Sequence, residues 1–153
     1  IPISREIEHA ESYLQIQKYR YKNQFTYHFH VDPDCLHYLC NKIVLQPIIE
    51  NAINHGLDLL VDEGRIDVYV QQDGEDIVFR VEDNGVGMSQ EQIVAILEHG
   101  PKERTGIGIR NVNDRLQIYF GKEYGLSITS KLDVGTCVEI RMPKILEGNY
   151  EAK

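Results

Sequence analysis

The chain has 153 residues, 42% of them hydrophobic and 26% charged, and a formal net charge of −8. That is the size and composition of one globular domain with a core of its own, needing no disulfide or metal staple. The acidic balance argues against a general nucleic-acid or anionic-membrane surface but leaves room for a nucleotide, whose phosphates need only a few local donors. No window approaches 18 apolar residues, so no membrane-spanning helix is expected here, and no signal-peptide pattern occurs. The chain opens on Ile1 rather than Met and reads as part of something longer, with any membrane anchor upstream. Cys35, Cys40 and Cys137 form no Cys-x-x-Cys pair, and their odd count fits small apolar residues in a reducing compartment rather than a zinc site.

Ser4 to Lys22 carries Ile7, Ala10, Leu14 and Tyr21 at helical spacing, with Gln, Glu and Lys on the other face, and predicts an amphipathic helix. Phe25 to Val31 alternates strictly and predicts a half-buried strand. Asp32-Pro33 offers an N-cap and a first-turn proline. An apolar-periodic stretch follows from Leu36 to about Leu60, in which Pro47 implies a break or a helix restarting near Val44. Arg65 to Gln71 alternates through Ile66, Val68 and Val70, Asp73-Gly74 signals a hairpin, and Ile77, Phe79 and Val81 mark the returning strand.

Asp83 to Gly87 reads as a loop. Ser89 and Gln92 make a capping box before a helix striped by Ile93, Ile96 and Leu97 and stopped at Gly100-Pro101. Ile107 to Phe120 is a further helix, aligned through Ile109, Val112, Leu116 and Phe120 and ended by Gly121. Leu126 to Lys131 and Thr136 to Met142 predict closing strands around a turn at Asp133 to Gly135, with a frayed tail after Pro143. Hairpins separated by helices predict an α+β fold: a two-layer sandwich, its sheet mixed but mostly antiparallel, with helices on one face.

Three segments carry candidate chemistry. Leu45-Gln-Pro-Ile-Ile-Glu-Asn-Ala-Ile-Asn-His-Gly56 sets Glu50, Asn51, Asn54 and His55 among apolar helix residues. Buried polar groups need partners, and an asparagine carbonyl is a neutral ligand suited to Mg²⁺ already held by phosphates; capping of neighbouring backbone is the plainer use. Asp83-Asn-Gly-Val-Gly87 follows a strand, and its glycines let backbone approach a flat ligand while the carboxylate accepts from an amino group; alone it is also an ordinary turn. Gly106-Ile-Gly-Ile-Arg-Asn111 opens a helix, a natural anion site, with Lys102 and Arg104 just upstream either screening phosphate or lying in a solvated loop.

Together, in this order, the segments resemble the N, G1 and G2 boxes of the GHKL (Bergerat) ATP-binding fold. Tyr13-Leu-Gln-Ile-Gln-Lys-Tyr-Arg-Tyr21, Leu45 to Ala52 and Gly108-Ile-Arg-Asn-Val-Asn-Asp-Arg-Leu116 resemble the LytS/YesM-type subgroup of two-component sensor histidine kinases, from about Ile7 to Pro143. The resemblance implies an ATP-binding catalytic domain with ATP and Mg²⁺ as cofactors. Asn51 would hold Mg²⁺ through the phosphates, with Glu50 at the adjoining acidic position. Asp83 would accept from the adenine amino group, Gly85 and Gly87 would shape its pocket, and Gly106 and Gly108 would end the lid and admit phosphates. Asn54, His55, Lys102 and Arg104 would lie beside the nucleotide.

The implied organisation is the end of a dimerisation region at 1–23, the catalytic domain at 24–144 and a tail at 145–153. The γ-phosphoryl would pass to a histidine on the upstream dimerisation domain, absent here, and then to a response regulator receiver domain. The full-length protein would be a homodimer, anchored in a bacterial membrane with this domain cytoplasmic and binding no nucleic acid. His9, in Glu-His-Ala, does not resemble the acceptor motif, and His28 and His30 share a strand face. Gyrase-like members place a general-base Glu where this chain has Pro47. Many relatives have Lys where this chain has Asn54, and the lid between Gly100 and Gly106 is very short. These departures frame the alternative, a degenerate nucleotide-binding or interaction module without kinase activity.

Overall fold

The computed structural model describes residues 1–20, 25–40, 44–53, 64–98 and 107–145. Its helices are α1 (Ile3–Arg20), α2 (Leu45–Asn51), α3 (Gln90–Glu98) and α4 (Ile107–Phe120). Its strands are β1 (Phe25–Val31), β2 (Gly64–Asp73), β3 (Asp76–Asp83), β4 (Gly125–Lys131) and β5 (Gly135–Pro143). The strands form one sheet in the order β1-β2-β3-β5-β4. β1 runs parallel to β2 and every other pair is antiparallel, the mixed α+β sheet expected from the hairpins.

Register shows which residues share a face. Tyr27, Ile66, Asp83 and Thr136 lie in one row, and Phe29, Val68, Val81, Val138 and Ile128 in the next. Val70, Phe79 and Ile140 follow, and these side chains join Leu14 of α1, Ile48 and Ile49 of α2, and Val112 and Leu116 of α4 in one core. Phe79 is fully buried at its centre, where truncation to Ala costs about 3–5 kcal/mol. The opposite face is polar. There His30 stacks on Tyr69 at 4.6 Å, and the Arg80 guanidinium covers the same ring at 4.4 Å. Burial pushes the nearby Asp67 carboxyl up, but the His30 hydrogen bond and the Arg65 charge outweigh it and hold the group below the usual range.

Local signals act as their chemistry requires. Ser89 Oγ accepts from the Gln92 N–H while Gln92 Oε1 accepts from the Ser89 N–H, the reciprocal capping box that opens α3. Two expectations need correction. Asp32 does act as an N-cap, its Oδ1 accepting from the Asp34 N–H at 3.0 Å, but only a 3₁₀ turn over Pro33–Cys35 follows, not a long helix. Of the two alternatives at Pro47, the structure shows the helix restarting near Val44: Pro47 is the third residue of α2, where a missing N–H has no helical partner to lose. The buried face of α1 is Ile3, Glu6, Ala10, Leu14 and Gln17, so two polar residues assigned to solvent face inward. Tyr13 packs against the core, whereas Tyr19 is 85% exposed. Tyr21 lies outside the described residues, as does the Gly100-Pro101 stop. Among the described residues no helix is long and apolar enough to cross a membrane.

Candidate functional site

The interior face of the sheet changes character at one end. Along β3 it reads Ile77, Phe79, Val81 and then Asp83; along β5, Met142, Ile140, Val138 and then Thr136; along β4, Leu126, Ile128 and then Ser130. Asp83 is the register partner of Thr136, and Thr136 of Ser130, so an apolar floor ends in one polar row across three strands.

That row is tightly bonded. Asp83 Oδ1 accepts from the Gly85 N–H at 2.8 Å, which folds the chain back immediately after β3. Burial pushes the Asp83 carboxyl up to about 6, against backbone N–H bonds from Gly85 and Thr136 that pull it down. Ser130 Oγ lies 2.7 Å from the Met88 N, 2.9 Å from the Gly135 carbonyl and 2.7 Å from Thr136 Oγ1. A hydroxyl has one proton and two lone pairs. Ser130 therefore accepts from Met88, donates to Gly135 and accepts from Thr136, whose hydroxyl proton is thereby spent while its lone pairs stay available to a donor.

The glycines permit this closeness. Gly87 has φ +75°, and a Cβ there would lie 2.1 Å from the Lys131 carbonyl oxygen. Gly135, at φ +146°, would place one 2.0 Å from the Asp83 carbonyl oxygen. The 84–88 loop thus lies directly on the β4–β5 hairpin, and the Asp133 N–H bonds the Val86 carbonyl at 2.7 Å. Asp83, Gly85 and Gly87, expected to act together, stand on this one rim.

Asn51 ends α2, which packs against β3, α4 and α1. Its side chain is 6% exposed, and Oδ1 has no hydrogen-bond partner among the described residues. Neighbouring Glu50 is half-buried and accepts from Gln46 Nε2 at 3.1 Å. Gly108 is the second residue of α4, which packs against α2 and α3. Asn54, His55, Lys102, Arg104 and Gly106 lie outside the described residues. Thr136, Ser130 and Met88 were not singled out by the sequence. The available signal was the alternation of β5, which, run back from Met142, places Thr136 on the interior face.

Among the described residues, a hollow of 460 Å³ beside His30, Asp32 and Gln72 and another of 280 Å³ beside Gln117, Tyr124 and Arg141 lie away from Asn51 and Asp83.

Residues 41–145 match the family of histidine kinase-, DNA gyrase B- and HSP90-like ATPases, and with this fold the chain belongs to that family. Its curated relatives include sensor histidine kinases. It is 32% identical to sensor histidine kinase BtsS of Escherichia coli K12 over 143 residues, 94% of this chain and 24% of the relative. It is 31% identical to sensor protein LytS of Staphylococcus haemolyticus over 145 residues, 94% of this chain and 25% of the relative. The chain thus spans about a quarter of the length of these relatives. Its fold is that of histidine kinase ThkA in complex with response regulator protein TrrA, at a TM-score of 0.67 and 12% identity, over 96% of this chain and 42% of that one.

Proposed function

We propose that this domain binds Mg-ATP and donates the γ-phosphoryl group to a histidine on an upstream dimerisation domain, for relay to a response regulator. The observation that carries the reading is the buried Oδ1 of Asn51, which has no hydrogen-bond partner among the described residues. An unsatisfied buried carbonyl costs about 1–3 kcal/mol, and such an orphan calls for a ligand that completes it. A neutral amide oxygen fits a hard cation that phosphates already hold. When bound, the ion neutralises charge on the phosphates during transfer.

In this reading Asn51 holds the ion, with Glu50 beside it as a further oxygen donor. Asp83 accepts from the adenine amino group, and Thr136, its strand neighbour, offers a free hydroxyl lone pair on the same row. Gly85 and Gly87 keep side chains away from the plane of the base. Gly106 and Gly108 let phosphates reach the N–H groups that open α4, with Asn54, His55, Lys102 and Arg104 alongside. The domain's contribution is positioning and charge neutralisation, which is most of what phosphoryl transfer requires. The attacking imidazole comes from a part of the protein outside this chain.

The name of sensor histidine kinase BtsS supports the kinase assignment, and the TrrA complex of ThkA supports a response regulator as partner. The organisation that follows is a linker at 1–23, the catalytic unit at 24–144 and a tail at 145–153. It belongs to a homodimer whose membrane anchor lies upstream and whose kinase part is cytoplasmic.

Calorimetric titration with a non-hydrolysable ATP analogue and Mg²⁺ tests this reading. Saturable binding by the wild type, reduced to its weak metal-free level in Asn51→Ala and lost in Asp83→Ala, is the expected result. A folded wild-type domain that shows no binding at millimolar analogue contradicts it.

A further inference from the structure

Glu6 is a carboxylate on α1 that is only 2% exposed, and its charge is not left in the apolar core. Its Oε2 accepts from the Val44 N–H at 2.6 Å and the Leu45 N–H at 2.9 Å. These are the amides that start α2, 38 and 39 residues away in sequence. A helix start normally takes such bonds from its own N-cap side chain. Val44 occupies that position and makes none. Glu6 therefore caps α2 from another helix, and its negative charge meets the positive end of the helix dipole.

The same junction is fastened a second way. Cys40 N–H bonds the Ile1 carbonyl at 2.8 Å, Ile3 N–H bonds the Tyr38 carbonyl at 2.8 Å, and Pro2 bridges Leu39. The segment entering α1 and the segment leading toward α2 thus form one strap, with Glu6 as the link into the helix itself. Among the described residues α2 covers Leu45–Asn51, and the chain continues as a π-helical turn at 52–53. Glu6 thus holds the N-terminal end of the helix that carries Asn51.

We infer that Glu6 is a positioning residue for the nucleotide site: it makes α1 and the Asn51-bearing helix one mechanical unit, so that displacement of α1 changes the affinity for Mg-nucleotide. This rests on the reading of Asn51 as the Mg-nucleotide ligand and adds a route by which the rest of the protein controls that ligand.

The test compares Glu6→Ala, Glu6→Gln and Leu14→Ala with wild type, all well below their melting temperatures. Leu14 lies on the same buried face of α1 and makes no bond to α2 backbone that a truncation removes. Two readouts are taken: affinity for the ATP analogue with Mg²⁺, and hydrogen exchange of amides 44–53 without nucleotide. Glu6→Ala is expected to weaken binding about tenfold and to speed exchange at 44–53 by a similar factor, the equivalent of one lost cap. Glu6→Gln keeps an acceptor oxygen and is expected to stay within about threefold of wild type. Leu14→Ala is expected to lower the melting temperature without changing affinity. Should Glu6→Ala not fold, Glu6→Asp, one methylene too short to reach both amides, carries the same prediction.

Unchanged affinity in folded Glu6→Ala or Glu6→Asp overturns the inference, and so does a loss of affinity in Leu14→Ala equal to theirs. Failure of wild type to bind analogue overturns the reading of Asn51, and the inference with it. Wild-type binding with unchanged exchange at 44–53 in the Glu6 variants overturns the Glu6 link alone.

Discussion

Asp83 and Thr136 face each other across β3 and β5, and the Thr136 backbone N–H donates to the Asp83 carboxylate. The pair ends the apolar floor of the sheet and forms the edge of the proposed base pocket. Ser130 on β4 extends it through the Thr136 hydroxyl.

Thr136→Val keeps the shape of the side chain and deletes its hydroxyl. Ser130 then loses one bond, so the domain is expected to lose about 1 kcal/mol of stability. Analogue affinity is expected to fall about tenfold, a loss of about 1.4 kcal/mol. Denaturant titration and calorimetry on the same sample separate the two effects. Wild-type affinity in this variant removes Thr136 from the pocket.

The Asp83 carboxyl lies near 6, pushed up first by burial, whereas an unfolded Asp titrates near about 4. Folding thus favours the protonated form. The associated stability is fully present below about pH 4 and is lost as the pH rises through about 6. Asp83→Asn stays neutral throughout. Its melting temperature relative to wild type is therefore expected to rise between pH 4 and pH 7, by several degrees for a domain of this size. A flat difference across that range contradicts the buried-carboxylate assignment.

Gly87 and Gly74 both have positive φ, +75° and +60°, so Ala strains the backbone at each. Only Gly87 also meets backbone, the Lys131 carbonyl oxygen, while nothing lies within 4 Å at Gly74. Gly74→Ala is expected to cost about 1 kcal/mol and Gly87→Ala about 2 kcal/mol more. Equal midpoint shifts in urea unfolding place the loop farther from the β4–β5 hairpin than described here.

The Arg141 guanidinium bonds Asp73 at 2.6 Å and Asp76 at 3.1 Å, bracing the β2–β3 hairpin to β5 at the sheet end away from Asp83. These groups are partly exposed, so Arg141→Ala is expected to cost less than about 1 kcal/mol and to leave analogue affinity unchanged. A large loss of affinity in this variant shows the pocket reaching beyond the Asp83 end.

Much of this architecture is legible in the sequence because its signals are local. Phe25–Val31 and Ile107–Phe120 are bounded to the residue, the first by strict alternation and the second by Gly121, whose φ of +106° accepts the helix end. What was not legible depends on distant partners. Glu6 reads as a solvent-face residue until Val44 and Leu45 arrive to bond it. Thr136 and Ser130 become site residues only once register sets them beside Asp83. The box motifs located Asn51 and Asp83, but only the fold shows that Asn51 Oδ1 is buried with no partner among the described residues.

The most direct test of the central claim is the Mg²⁺ dependence of analogue binding in wild type and Asn51→Ala. In wild type, Mg²⁺ is expected to strengthen binding at least about tenfold, and in Asn51→Ala that gain disappears while the weak metal-free binding through Asp83 remains. Asn51→Ala also removes a buried orphan, so its melting temperature stays at or above wild type. An Asn51→Ala domain that keeps the full Mg²⁺ gain contradicts the account.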